Sequence, residues 1–186
     1  MRNVLTAVVL AAALGACGRG DDRAVEVAVI GEPSAPFATG PRLPLAAQLV
    51  RAASAEGLVG FDEQGRVVPA IADRWIVTDD GLSYIFRLRD GTWPGGGAIT
   101  GETGRAALVR AIGALRGTAL GSDLSVIREV RAMAGRVIEI RLHQQAPDLL
   151  QLLAQPELGL TTRGAGAGPM QLDRDKRTAI LTPIPP

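Results

Sequence analysis

Residues 57–93 read GLVGFDEQGRVVPAIADRWIVTDDGLSYIFRLRDGTW. The stretch holds both tryptophans, the only tyrosine and two of the three phenylalanines of a 186-residue chain that is 3% aromatic. Large aromatic side chains bury the most area per residue, so this is the expected packing centre. Its turn grammar is equally dense. Leu58 to Phe61 is a short apolar run, and Asp62-Glu63-Gln64-Gly65 is a polar turn ending in glycine. Arg66 to Pro69 resumes an extended segment. Asp79-Asp80-Gly81 makes a second turn, and Leu82 to Arg89 alternates as a strand does. Between the turns, Pro69 to Trp75 (PAIADRW) predicts a helical turn with an aromatic anchor.

Composition limits what surrounds this centre. With 47% hydrophobic residues, the chain can build the core of one domain. Twenty basic residues face nineteen acidic ones, so there is no cationic field for nucleic acid. The single cysteine excludes an internal disulfide and any zinc site built on paired cysteines.

That cysteine, Cys17, closes a leader-like segment. Met1-Arg2-Asn3 is a short positive start, and Val4 to Leu14 is apolar or small apart from Thr6. The run is shorter than the roughly 20 residues a bilayer-spanning helix needs, and it fits a secretory h-region. Leu14-Gly15-Ala16-Cys17 resembles the bacterial lipobox, which implies lipidation of Cys17 and a membrane-anchored protein of the cell envelope or periplasm. The expected organisation is a signal peptide over residues 1–17, a tether over 18–24 and a folded region over 25–186.

Val25 to Ile30 (VEVAVI) predicts a buried strand. Pro44 opens a helix whose apolar face is Leu45, Leu49 and Ala53, with Ala46 and Val50 beside them, ending near Gly57. Pro94-Gly95-Gly96-Gly97 is a loop. Thr100 is a candidate N-cap for a helix with Leu108, Ala111, Ile112 and Leu115 on its apolar face. Leu124 to Met133 is ambiguous between helix and strand. Arg136 to His143 reads as a strand with Ile138, Ile140 and Leu142 on one face and Glu139, Arg141 and His143 on the other. Pro147 starts a short helix, Leu158 to Thr161 reads as a short strand, residues 164–169 as a tight turn, and Thr178 to Leu181 as a last strand.

In this order the segments resemble the N-terminal portion of family 5 extracellular solute-binding proteins, the oligopeptide, dipeptide and nickel-type binding components of ABC importers. The likeness rests on Glu56-Gly57-Leu58-Val59, on Pro69-Ala70-Ile71-Ala72-Asp73-Arg74-Trp75 and on Asp80-Gly81 with Tyr84, Phe86, Leu88 and Arg89. It continues through Trp93 to Gly97 with Thr100, Val137 to Ala154 and Gly166-Ala167-Gly168-Pro169-Met170. Gly101-Glu102-Thr103 departs from the family's usual tripeptide.

The resemblance implies an α/β fold, periplasmic-binding-protein type II-like and partial. Part of lobe I and an accessory subdomain at about residues 45–165 would be present, and the second lobe absent. It implies a non-catalytic protein that takes a peptide or similar small solute and works with an ABC permease. Gly31, Glu32 and Pro33 stand where the family's ligand contacts lie, with Glu32 a candidate for pairing a ligand amino group. Family members are much longer, so the chain reads as a fragment, a truncated product or a short paralogue. One lobe cannot enclose a ligand, and the chain alone is expected to bind peptides weakly or not at all. The alternative is a stand-alone envelope lipoprotein acting as an interaction module.

Other constellations point to no chemistry. His143, the sole histidine, has no cysteine or paired carboxylate beside it in sequence and reads as a surface side chain. Turn geometry accounts for Asp79-Asp80. Neither glycine-rich run fits a dinucleotide or P-loop pattern, so no cofactor is expected. Trp75 and Trp93 read as core residues.

Overall fold

A computed structural model describes residues 27–184. Cys17, the leader, the tether and the start of the VEVAVI segment lie outside the described residues. The chain divides into two units, residues 1–30 and 31–186. Of the first, Val27 to Ile30 has no regular secondary structure, and Val27, Val29 and Ile30 are exposed. The expected buried strand is therefore not seen there. A strand is held by ladder bonds and a covered face, and these residues have neither.

The second unit is built on a four-stranded antiparallel sheet. The aromatic-rich stretch supplies two small hairpins: β1 (Val59–Phe61) with β2 (Val67–Pro69), and β3 (Ala72–Val77) with β4 (Ser83–Leu88). In the first turn Asp62 accepts from the backbone N–H groups of Gln64 (2.9 Å) and Arg66 (2.8 Å), and Gly65 takes a φ of 74°. In the second, Asp80 accepts from the Thr78 hydroxyl (2.6 Å) and the Leu82 N–H (2.9 Å). Both are Asx-type turns in which a carboxylate replaces backbone acceptors.

The expected helical turn at Pro69–Trp75 is instead the end of β2 and the first half of β3. Neighbouring chain claims its backbone: Ile71 and Ala72 donate to the carbonyls of Gly57 (3.1 Å) and Leu58 (2.9 Å), and Ile71 accepts from Arg89 (2.9 Å). Trp75 then pairs with Phe86 across β3 and β4, ring centroids 6.3 Å apart. Long-range pairing outweighs the local preference.

After β4 the chain crosses the sheet through helix α2 (Gly101–Ala114) and the short α3 (Ala119–Asp123). It returns as the far-edge strand β5 (Ile127–Ala132), then as β6 (Val137–Leu142) between β5 and β4. The ambiguous 124–133 segment is thus one 3-10 turn (Leu124–Val126) followed by a strand. Thr100 does cap α2. Its hydroxyl accepts from the Thr103 N–H at 3.2 Å, and the Thr103 hydroxyl accepts from the Thr100 N–H at 2.9 Å. The Trp93 indole N–H donates to the same Thr103 hydroxyl at 3.0 Å, joining the glycine loop to the helix start. The departure at Gly101 is a packing requirement: a Cβ there would lie 2.6 Å from the Val137 carbonyl oxygen.

Phe86, Leu88, Ile138, Ile140, Leu108 and Leu115 are almost wholly buried between sheet and helix, as is Trp93. Their alternation in β4 and β6 is what pins the register, because a one-residue slip would turn the apolar set outward. Glu139, on the face opposite Ile138 and Ile140, is buried as well and lies 3.0 Å from Arg141.

Helix α1 (Leu45–Ser54) starts after Pro44 as expected and ends three residues before Gly57. Its covered face is Ala46 and Ala47; Leu45 and Leu49 are exposed, against the expected face. Small residues are favoured where backbones approach closely, and that side of α1 meets the chain's last segments. The Leu158–Thr161 strand is displaced: Pro156–Leu158 is a 3-10 turn begun by Pro156, and β7 is Thr161–Thr162, paired with β8 (Ala165–Gly166). Helix α4 (Leu149–Leu153) precedes it. A final hairpin joins β9 (Met170–Asp175) to β10 (Thr178–Pro183).

Candidate functional site

The motif residues of the last segment meet α1. Gly168 donates to the Ser54 carbonyl at 3.0 Å. A Cβ at Gly166 would clash with the Ser54 carbonyl oxygen, and one at Gly168 with the Ser54 carbonyl carbon. Arg89 closes the arrangement, donating to the Glu56 carboxylate at 2.8 Å and to the Ala167 carbonyl at 3.1 Å. Three sequence motifs that are far apart in the chain thus form one junction: Glu56-Gly57, Arg89 and Gly166–Pro169.

Beside this junction lies a groove of about 530 Å³. Its walls are the 3-10 turn Ala35–Phe37, the inward side of α1, the β7–β8 hairpin and β9. Phe37, Val50, Met170, Leu172 and Ile184 give it an apolar lining. Arg51 is the one charged residue among those that line it. The β7–β8 turn is Arg163-Gly164, with φ values of 51° and 83°, the left-handed pair that a two-residue hairpin turn requires. Arg163 also donates to the Gly95 carbonyl at 3.1 Å, which ties the glycine loop to the groove's edge where Pro94 contributes.

Gly31, Glu32 and Pro33 are exposed and do not line the groove. They lead directly into its wall: the Glu32 carbonyl accepts from Ala35 at 2.8 Å and so starts the 3-10 turn. Sequence reasoning passed over Phe37 and Arg51. Phe37 is the only aromatic residue outside the 57–93 stretch, a signal that was available; Arg51 had none, being one arginine among many on a helix.

His143 is exposed and lines a second, open depression of about 470 Å³ with Ser122, Asp123, Gln145 and Asp148. Among the described residues no group of three or more His, Cys, Asp or Glu side chains is arranged to hold a metal ion. Trp93 is in the core, 2% exposed, and Trp75 packs half-buried against it.

No protein-family model matches the chain. In sequence it is 32% identical over 121 residues to the Escherichia coli protein named Probable deoxycholate-binding periplasmic protein YgiS, covering 55% of this chain and 23% of that one. It is 63% identical over 35 residues to Probable di/tripeptide-binding protein 5 of Pseudomonas aeruginosa, covering 18% and 7%. Among solved structures, it matches the periplasmic binding protein DppA of Helicobacter pylori, in complex with the peptide STSA, with a TM-score of 0.65 at 17% identity, over 82% of this chain and 36% of that one. It matches the Agrobacterium binding protein AgaA, in complex with agropinic acid, with a TM-score of 0.65 at 20% identity, over 73% and 31%. The chain therefore spans about a quarter or less of these curated relatives and about a third of these solved chains. It is related in sequence to periplasmic binding proteins and has, in part, the type II fold of the family 5 extracellular solute-binding proteins of oligopeptide, dipeptide and nickel type.

Proposed function

We propose that the chain is the substrate-binding lipoprotein of an ABC importer for peptides or similar small solutes, or a portion of one, without catalytic activity. The observation that carries this is kinship in sequence: the relatives matched at 32% over 121 residues and 63% over 35 residues are both binding proteins. The groove beside α1 supports it, because apolar concavities with a few polar groups are the usual form of small-solute sites. In this reading residues of about 45–165 serve as the accessory subdomain, and Gly31, Glu32 and Pro33 approach the ligand from the loop before the groove. A permease is the partner, and a lipid on Cys17 holds the protein at the envelope membrane.

Two measurements test the reading. Cells lacking the chain are expected to lose uptake of at least one member of a panel of labelled di- to pentapeptides and small chelated solutes. Unchanged uptake across the panel contradicts the transport role. Metabolic labelling with an alkyne fatty acid is expected to mark the protein, and Cys17→Ala to abolish both the mark and membrane association. A labelled Cys17→Ala protein refutes the anchor.

A further inference from the structure

The groove pairs an apolar lining with the neutral polar side chains of Thr39, Ser54, Thr161 and Gln171. Among the described residues Arg51 is the one charged side chain that lines it, and the guanidinium is poorly provided for. One Nη donates to the Gly159 carbonyl at 3.2 Å. Nε is sealed from solvent and has no hydrogen-bond partner. Among the described residues no carboxylate oxygen lies within 4.0 Å, the distance of the ion pairs that the other buried-side arginines make. Burial pulls the Arg51 pKa below the usual guanidinium value, opposed in part by the negative charge of Glu157. A guanidinium keeps its proton even so, and a half-buried cation that is incompletely paired is costly to hold. Outside the lining, Arg174 stacks over the ring of the wall residue Phe37, 4.2 Å from its centroid. Among the described residues no acidic side chain lines the groove.

We propose that Arg51 is the anion-recognition residue of this groove, and that the solute it takes carries a carboxylate beside an apolar group. The carboxylate accepts from the Nη N–H groups that the Gly159 bond leaves over, Nε being sealed, and the apolar part lies on Phe37, Val50, Met170 and Leu172. A planar guanidinium matches a carboxylate's two oxygens, and charge-assisted bonds of that kind are about twice as strong as neutral ones. The inference rests on the groove being the solute site, and it narrows the solute class.

The test compares N-acetylphenylalanine with N-acetylphenylalanine amide, which differ in the carboxylate alone, by heteronuclear NMR titration of the protein. The acid is expected to shift amide signals of α1 and of residues 164–172 and to bind at least about tenfold tighter than the amide. Arg51→Gln is expected to erase that preference, and Arg51→Lys to restore part of it. Equal binding of acid and amide, or a preference that survives Arg51→Gln, overturns the assignment and leaves the solute-binding reading standing. If neither probe, nor the tripeptide Ala-Phe-Ala, moves any groove signal, both fall together. Should Arg51→Gln fail to fold, the acid and amide comparison on the natural protein decides alone.

Discussion

Gly168 has no room for a side chain, because its Cα faces the last turn of α1 and a Cβ would meet the Ser54 carbonyl carbon. The contact is with backbone, which cannot rotate away. Gly168→Ala is therefore expected to cost about 1–3 kcal/mol, the usual range for overpacking, as read by urea denaturation. A loss within a few tenths would show that the junction is loose. The turn carboxylates act at the same scale. Asp62 is held below the ordinary carboxylate range by the Arg66 backbone N–H first and the Arg66 side chain after it. Asp80 is held down by the Thr78 hydroxyl first and then the Leu82 N–H. A depressed folded-state pKa adds stability that is present above the unfolded value and lost as pH falls through the folded one. Stability is expected to decline on acidification below about pH 4, with Asp62→Asn making the decline shallower. Denaturation midpoints measured across that pH range check the sign; a decline equally steep in Asp62→Asn contradicts it.

At the scale of the element, α2 is fixed by its start. Thr100 and Thr103 satisfy each other's backbone donors, and the Trp93 indole adds a bond to the same hydroxyl. Thr100→Ala is expected to cost about 1 kcal/mol, the typical worth of an N-cap. Calorimetric unfolding checks it, and an unchanged midpoint would mean that the glycine loop alone holds the helix. The cap was legible in the sequence because Thr100 precedes an apolar periodicity directly. So were β4 and β6, whose alternation follows from burying one face. Elements decided by distant partners were not legible. Nothing local in Pro69–Trp75 announces that Gly57, Leu58 and Arg89 will take its backbone bonds. Leu45 and Leu49 have better hydrophobic spacing than Ala46 and Ala47, yet the alanines are covered, because what packs on α1 comes close. The groove belongs to the same class. Its walls come from residues near 37, 51 and 170, and Arg51 gains meaning only when those segments meet.

For the molecule as a whole, the aromatic stretch is scaffold. Phe86, Trp93 and Tyr84 sit in the core with the sheet and α2, while the groove is formed by α1, the loop before it and the last two hairpins. The motifs of the family resemblance divide in the same way, most of them building the sheet and three meeting at the Glu56, Arg89 and Gly166–Pro169 junction that frames the groove. A groove open on one side gives a ligand few contacts, so affinity in this chain is expected to be weak, at Kd values of roughly millimolar order. The direct test is heteronuclear NMR titration with mixed di- to pentapeptides. The account predicts shifts confined to residues 36–39, 47–55 and 164–172, approaching saturation only at high peptide concentration. Shifts mapping instead to the four-stranded sheet of β3 to β6, or tight micromolar binding seen by calorimetry, would contradict it.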